Sequence, residues 1–140
     1  MGGWVLESTA QSLYFAGDSG YFEGFKQLQK IKSIDYALVP IGAYEPEWFM
    51  ELDHMKPEDA VQAFIDLGAS HMVPMHYGTF RLADDTGPEA LERFEQAWKE
   101  KGINEKKKKR PTHWRYASFI RQLILSCLTL LFFFVSNKPV

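Results

Sequence analysis

Strand-like apolar runs alternate with amphipathic helical stretches along most of this 140-residue chain, and the alternation predicts an α/β layer fold. Three stretches carry that reading. Tyr36 to Ile41 is a continuous apolar run of the kind found in strands covered on their faces. It lies between two helical patterns, one of Phe22, Phe25, Leu28 and Ile31, the other of Ala60, Val61, Phe64, Ile65 and Leu67. Composition agrees: 46% of residues are hydrophobic and 15% aromatic, which excludes a collagen-like chain, a mucin-like stalk or an acidic solvating tail. A single cysteine, Cys127, excludes an intramolecular disulfide framework and a Cys-rich zinc finger.

Taken in order, Trp4 to Ser8 reads as a short strand, Thr9-Ala10-Gln11 as a hairpin turn and Ser12 to Ala16 as a second strand. Gly17-Asp18-Ser19-Gly20 is a break rich in turn residues. The periodicity predicts a helix over 22–32, with Lys26, Lys30 and Lys32 between its apolar positions. After the 36–41 strand, a loop rich in acids and aromatics runs from Gly42 to about Met55. Pro57 sits just inside the next helix start, with Glu58 and Asp59 in its first turn, and Gly68 is its stop. His71 to Met75 reads as a strand leading into His76-Tyr77-Gly78-Thr79-Phe80. The last helix opens at Pro88, presents Leu91, Phe94 and Trp98 on one face, and ends at Gly102. No internal repeat is visible.

Charge divides the chain into an expected domain over 1–105 and an extension over 106–140. All 18 acidic residues lie at or before Glu105, so the first 105 residues carry −10 and the last 35 carry +8. The acidic body argues against specific nucleic-acid recognition, although the block Lys106 to Arg110 could touch phosphates non-specifically. Leu123 to Val135 is an uncharged run of 13 residues, which as a helix spans roughly 20 Å against a hydrocarbon core of ~30 Å. It reads three ways: a marginal tail anchor, a segment lying in the membrane interface, or a non-native extension from a misjoined coding segment. Met1-Gly2-Gly3-Trp4 lacks the basic and apolar regions of a signal peptide, so the expected location is cytoplasmic, with membrane contact through 106–135.

Four sites draw attention as chemistry. Asp18 stands just beyond a strand end, where loops often carry metal-binding or catalytic carboxylates, and where Asp is also a common turn former. The loop is similar to the nucleophile loop of trypsin-like serine proteases, but no His or Asp precedes Asp18 to serve as base and orienter. His76 follows a strand and offers an imidazole suited to zinc, or is a satisfied loop histidine. His71 has opposite strand parity to His76, so the two point to opposite faces. His54 immediately precedes a helix start, a place suited to a proton donor or a substrate-positioning group, or to a solvated capping neighbour. Tyr44, Trp48, Phe49, Met50 and Met55 either line a groove for acyl chains or pack beneath the loop.

The stretch Leu13-Tyr14-Phe15-Ala16-Gly17-Asp18-Ser19-Gly20-Tyr21 resembles the bridging-aspartate motif of the metallo-β-lactamase superfamily. Ile41-Gly42-Ala43-Tyr44-Glu45-Pro46, His54-Met55-Lys56-Pro57-Glu58-Asp59-Ala60 and Met75-His76-Tyr77-Gly78-Thr79-Phe80 are similar to the C-terminal half of its N-acyl-phosphatidylethanolamine phospholipase D-like branch. The resemblance covers about residues 3–103. It implies half of an αβ/βα sandwich, with metals at one edge of the packed sheets. It implies that Asp18 bridges two metal ions, usually zinc, that His76 ligates one, and that His54 lies close to substrate outside the primary metal shell. The implied reaction is metal-dependent hydrolysis of a phosphodiester.

The family's His-x-His-x-Asp-His cluster has no counterpart here, because no histidine precedes His54. Two matched donors are fewer than a catalytic zinc site needs. Two functional expectations result. One is a zinc-dependent phospholipase D-like hydrolase acting on a phospholipid or other phosphodiester, incomplete in this chain alone. The other is a non-catalytic truncated product, associated with membranes or with a homologous full-length chain. The sequence passes from the last helix straight into the cationic block, which leaves both sheet edges expected to be uncovered.

Overall fold

The computed structural model describes residues 3–109. Its single sheet has four strands in the order β1 (Trp4–Glu7), β2 (Ser12–Phe15), β3 (Tyr36–Pro40) and β4 (His71–Met75). β1 and β2 form an antiparallel hairpin with Leu6 opposite Leu13. Its turn is closed by the Ser8 hydroxyl, which accepts from the backbone N–H of Gln11 at 3.1 Å. β2, β3 and β4 are parallel, with Phe15 beside Leu38 and Leu38 beside Val73. The helices α1 (Gly24–Ile31), α3 (Pro57–Leu67) and α4 (Gly87–Glu100) accompany the parallel strands, as parallel sheets require of their crossovers. This α/β sheet, with helices on one face, is the layer arrangement that the alternating pattern predicts.

Local chemistry sets the helix ends. α3 opens with Pro57 in its first turn and stops at Gly68, whose φ of 61° suits a residue without Cβ. α4 is capped by Thr86, whose hydroxyl accepts from the Glu89 N–H at 3.4 Å. The 42–55 stretch differs from its expected form as a plain loop. Residues Glu47–Met50 make one turn of helix, α2, which follows Pro46. Four residues are too few for a helical period to show in a sequence.

The core lies between one sheet face and the helices. Tyr14, Ala37, Val39 and Met72 face Phe25, Val61, Phe64, Phe94 and Trp98. Phe64 stacks on Trp98 with ring centres 5.2 Å apart, and Tyr14 meets Phe25 edge-on at 6.1 Å. The other sheet face carries a small cluster of Leu13, Leu38 and Val73. It continues through Leu6, Phe15 and Trp4, the last 71% exposed.

The outer edge of β4 is not left uncovered as the sequence reading expects. After α4, Glu105–Lys107 form a short 3-10 turn and Lys108 bridges Met72 in parallel, with the Lys109 N–H bonded to the Met72 carbonyl at 2.8 Å. The Lys108 ammonium is met by Glu95 and Glu105 and lies 5.7 Å from the Trp98 ring centre. Its side chain is 3% exposed. Two carboxylates and two aromatic faces let this lysine lie against the body despite its charge. Arg110 and the apolar run 123–135 lie outside the described residues. Among the described residues, no helix is long and apolar enough to cross a membrane.

Candidate metal centre

Parallel strands put their C-terminal ends at one edge of a sheet, and loops leaving those ends converge there. Asp18 follows β2, His54 lies between β3 and α3, and His76 follows β4 directly. Residues 18, 54 and 76 thus come together although three separate loops carry them. The Asp18 Oδ1 lies 3.0 Å from His54 Nε2 and 3.7 Å from His76 Nε2. One ligand atom from each of the three lies within 4.8 Å of the other two. The two imidazole rings are 5.8 Å apart, centre to centre. The carboxylate is half exposed, and both rings are largely covered.

Backbone packing holds these loops close. A Cβ on Gly20 would stand 2.6 Å from the Leu52 carbonyl oxygen and 2.8 Å from that of Glu51, so the Asp18 loop touches the turn before His54. A Cβ on Gly42 would stand 2.3 Å from the His76 carbonyl oxygen. Ala43 and His76 both have left-handed backbone, φ 64° and 60°, which costs energy for residues with a Cβ and gathers at functional sites. The buried Asp85 carboxylate accepts from the N–H groups of Ala43, Tyr44 and Glu45 at 3.1, 2.9 and 3.3 Å. Tyr21 donates to Asp66 on α3 at 2.5 Å, tying down the far side of the Asp18 loop. That bond to a carboxylate, with burial, pushes the Tyr21 hydroxyl up to about 12.

The 45–58 segment is gripped by Arg93 of α4. Its guanidinium binds Glu58 with two 2.9 Å bonds, Glu47 at 2.9 Å and Glu45 at 3.5 Å, and lies 4.6 Å over the Tyr44 ring centre. Lys56 also donates to Glu47, at 3.1 Å. The Arg93 hydrogen bond first, then that from Lys56, holds the Glu47 carboxyl below its ordinary range. The Glu47 partner raises Lys56, and the Glu58 bonds raise Arg93 further. Burial lifts the Tyr44 hydroxyl to about 12 against the opposing pull of Arg93.

Among the candidates, the structure assembles Asp18, His54 and His76 and leaves His71 elsewhere, stacked on Tyr36 at 5.0 Å. The aromatic and Met cluster divides. Tyr44 and Met55 are fully buried, whereas Trp48 and Phe49 on α2 face solvent. Sequence reasoning overlooked Arg93 and Asp85. Their partners lie 35 to 48 positions away, and nothing local marks either residue.

The donor set fits a divalent metal. Two imidazole nitrogens and one carboxylate oxygen are zinc's usual ligands, and three protein donors leave room for water or substrate. The Nδ1 atoms of His54 and His76 are buried and find no partner among the described residues.

Residues 1–77 match the Beta-lactamase superfamily domain, and the chain belongs to that family. It is 38% identical over 82 residues to an N-acyl-phosphatidylethanolamine-hydrolyzing phospholipase D of Caenorhabditis elegans, covering 57% of this chain and 23% of that protein. It is 40% identical over 79 residues to a metal-dependent hydrolase of Alkaliphilus metalliredigens, covering 56% and 31%. The solved structure of a metallo hydrolase from Ignicoccus hospitalis superposes with a TM-score of 0.50 at 28% identity, over 68% of this chain and 38% of that one. The chain thus spans less than a third of the length of these curated relatives.

Proposed function

We propose that this chain supplies one metal-binding edge of a zinc-dependent hydrolase whose substrate is a phosphodiester of the N-acyl-phosphatidylethanolamine kind. The observation that carries the reading is the convergence of Asp18, His54 and His76 at the C-terminal edge of the parallel strands. Similarity to the worm phospholipase and the Alkaliphilus hydrolase supports the substrate class and the metal. A divalent cation bound there would act as a Lewis acid on a phosphoryl oxygen and lower the pKa of a coordinated water. Asp18 and His76 would hold the metal, and His54 would place its Nε2 at the same edge to bind the metal or a phosphoryl oxygen. A groove of about 220 Å³ opens beside His76, lined in part by Gly42, Thr79, Phe80 and Arg81. Arg81 would offer a guanidinium to the phosphate there.

The donors of the His-x-His-x-Asp-His cluster, which these 140 residues do not contain, would come from another chain or from a fuller product of the same gene. The test is metal content and hydrolysis of N-acyl-phosphatidylethanolamine by the purified 140-residue chain, with and without an N-terminal fragment of a homologue bearing that cluster. Two bound metals and turnover in the mixture are expected. A mixture that still takes up no metal pair rules the reading out.

The second reading is a non-catalytic chain that binds a homologous full-length protein. The apolar sheet face of Trp4, Leu6 and Phe15 favours it, because burying such a surface drives association. Co-elution with the homologue and no turnover with the fragment would support it. Membrane contact through 106–135 is a separate proposal, to be read from liposome flotation with and without residues 106–140. Unchanged flotation would refute it.

A further inference from the structure

We propose that Arg93 is a positioning residue for the metal centre, acting through His54. The proposal rests on the metal-binding reading above. Arg93 sits on α4, and among the described residues it makes no hydrogen bond or ion pair to Asp18, His54 or His76. Its bonds go to both ends of the segment that carries His54. Glu45 and Glu47 lie before the histidine and Glu58 after it, and one guanidinium joins all three. The span between is stiffened from within. The His54 N–H donates to the Met50 carbonyl at 2.8 Å and that of Asp53 to the same carbonyl at 3.0 Å, so the histidine hangs from the end of α2. α2 in turn is held through Glu47, which Arg93 and Lys56 share.

Guanidinium shape matters to this arrangement. The two parallel bonds to Glu58 use the planar fork, a third N–H direction reaches Glu47, and the flat face lies on Tyr44. An ammonium can meet one or two of these carboxylates but cannot reproduce the fork and the stacking together. Without the clasp, Glu45, Glu47 and Glu58 would crowd near one another and repel, and the segment would open at its base. Asp18 and His76 hang from β2 and β4, outside the clasp. A release of Arg93 therefore acts first on His54, and reaches Asp18 only through the contact of Gly20 with Leu52.

The experiment measures cobalt(II) binding to the full chain by visible absorption, for wild type, Arg93→Met, Arg93→Lys, His54→Ala and the double variant. Arg93→Met should weaken cobalt binding by about tenfold to a hundredfold, the effect common for groups that orient a ligand. Arg93→Lys should fall between. In the His54→Ala background, Arg93→Met should change the affinity by less than about twofold, since its target is gone. An equal loss with and without His54 overturns the proposal, because Arg93 would then act through general stability. Undiminished binding by Arg93→Met overturns it too.

A second readout needs no metal. In ¹⁵N-histidine-labelled metal-free chain, Arg93→Met should shift the His54 ring resonances and leave those of His71, which lies against Tyr36, in place. Unmoved His54 signals overturn the proposal, and shifts at every histidine report lost folding and overturn it as well. A wild-type chain that shows no cobalt band is titrated again with the homologue's N-terminal fragment, and no band in that mixture contradicts the metal reading. The ring resonances then still decide whether Arg93 places His54.

Discussion

Gly20 lies against the backbone of Leu52 so closely that a methyl group on it would stand 2.6 Å from the Leu52 carbonyl oxygen. This contact joins the loop of Asp18 to the turn that leads into His54, so two of the three candidate donors share one backbone seam. Gly20→Ala must push the loops apart. We expect a stability loss of about 1–3 kcal/mol, typical of overpacking, together with weakened zinc uptake. Urea unfolding and zinc titration of the same variant check both. Unaltered zinc affinity would show that the seam does not set the donor geometry.

Metal binding to the folded chain should appear as stability. At free zinc about a hundredfold above its Kd, linkage adds about 2.7 kcal/mol to unfolding. Thermal scans with zinc and with a chelator measure it. Asp18→Ala and His76→Ala should each abolish the difference. A shift that persists in both variants would place the metal elsewhere.

The clasp around Arg93 should weaken in acid. The Glu47 carboxyl is held below the ordinary glutamate range, chiefly by its bond to Arg93. A lowered folded pKa means that the pairing contributes fully above the unfolded value and is lost as pH falls through the folded one. Wild type should therefore lose its advantage over Glu47→Gln between about pH 5 and the lowered value. Chemical unfolding across pH 2 to 7 tests this, and parallel curves for the two proteins would refute it.

Trp98 is fully buried between Phe64 and Phe94. Trp98→Ala should cost about 3–5 kcal/mol through lost contacts and the cavity left behind. Trp98→Phe should cost less. Denaturant midpoints give the comparison.

Much of the fold was legible because its signals are local. The 71–75 strand needs only its apolar run and turn-forming flanks, and α3 needs only Pro57, its apolar stripe and Gly68. The sequence also singled out Asp18, His54 and His76, each at a strand or helix boundary. That they meet was implied by the family resemblance alone and by no local pattern, since it follows from three strands running the same way. Arg93 stayed hidden for the same reason, as did the seating of Lys108. A cationic run reads as solvated until its carboxylate and aromatic partners are brought beside it by packing. The single turn of α2 was missed because one turn has no period.

Asp18, His54 and His76 each sit beyond the end of a strand, and none lends a backbone group to the ladder between strands. Chemistry is thereby separate from the ladder: different donors could be grafted onto these segments, provided the close approaches at Gly20 and Gly42 are kept, while the ladder beneath stays as it is. An engineer seeking a new activity would start from that separation.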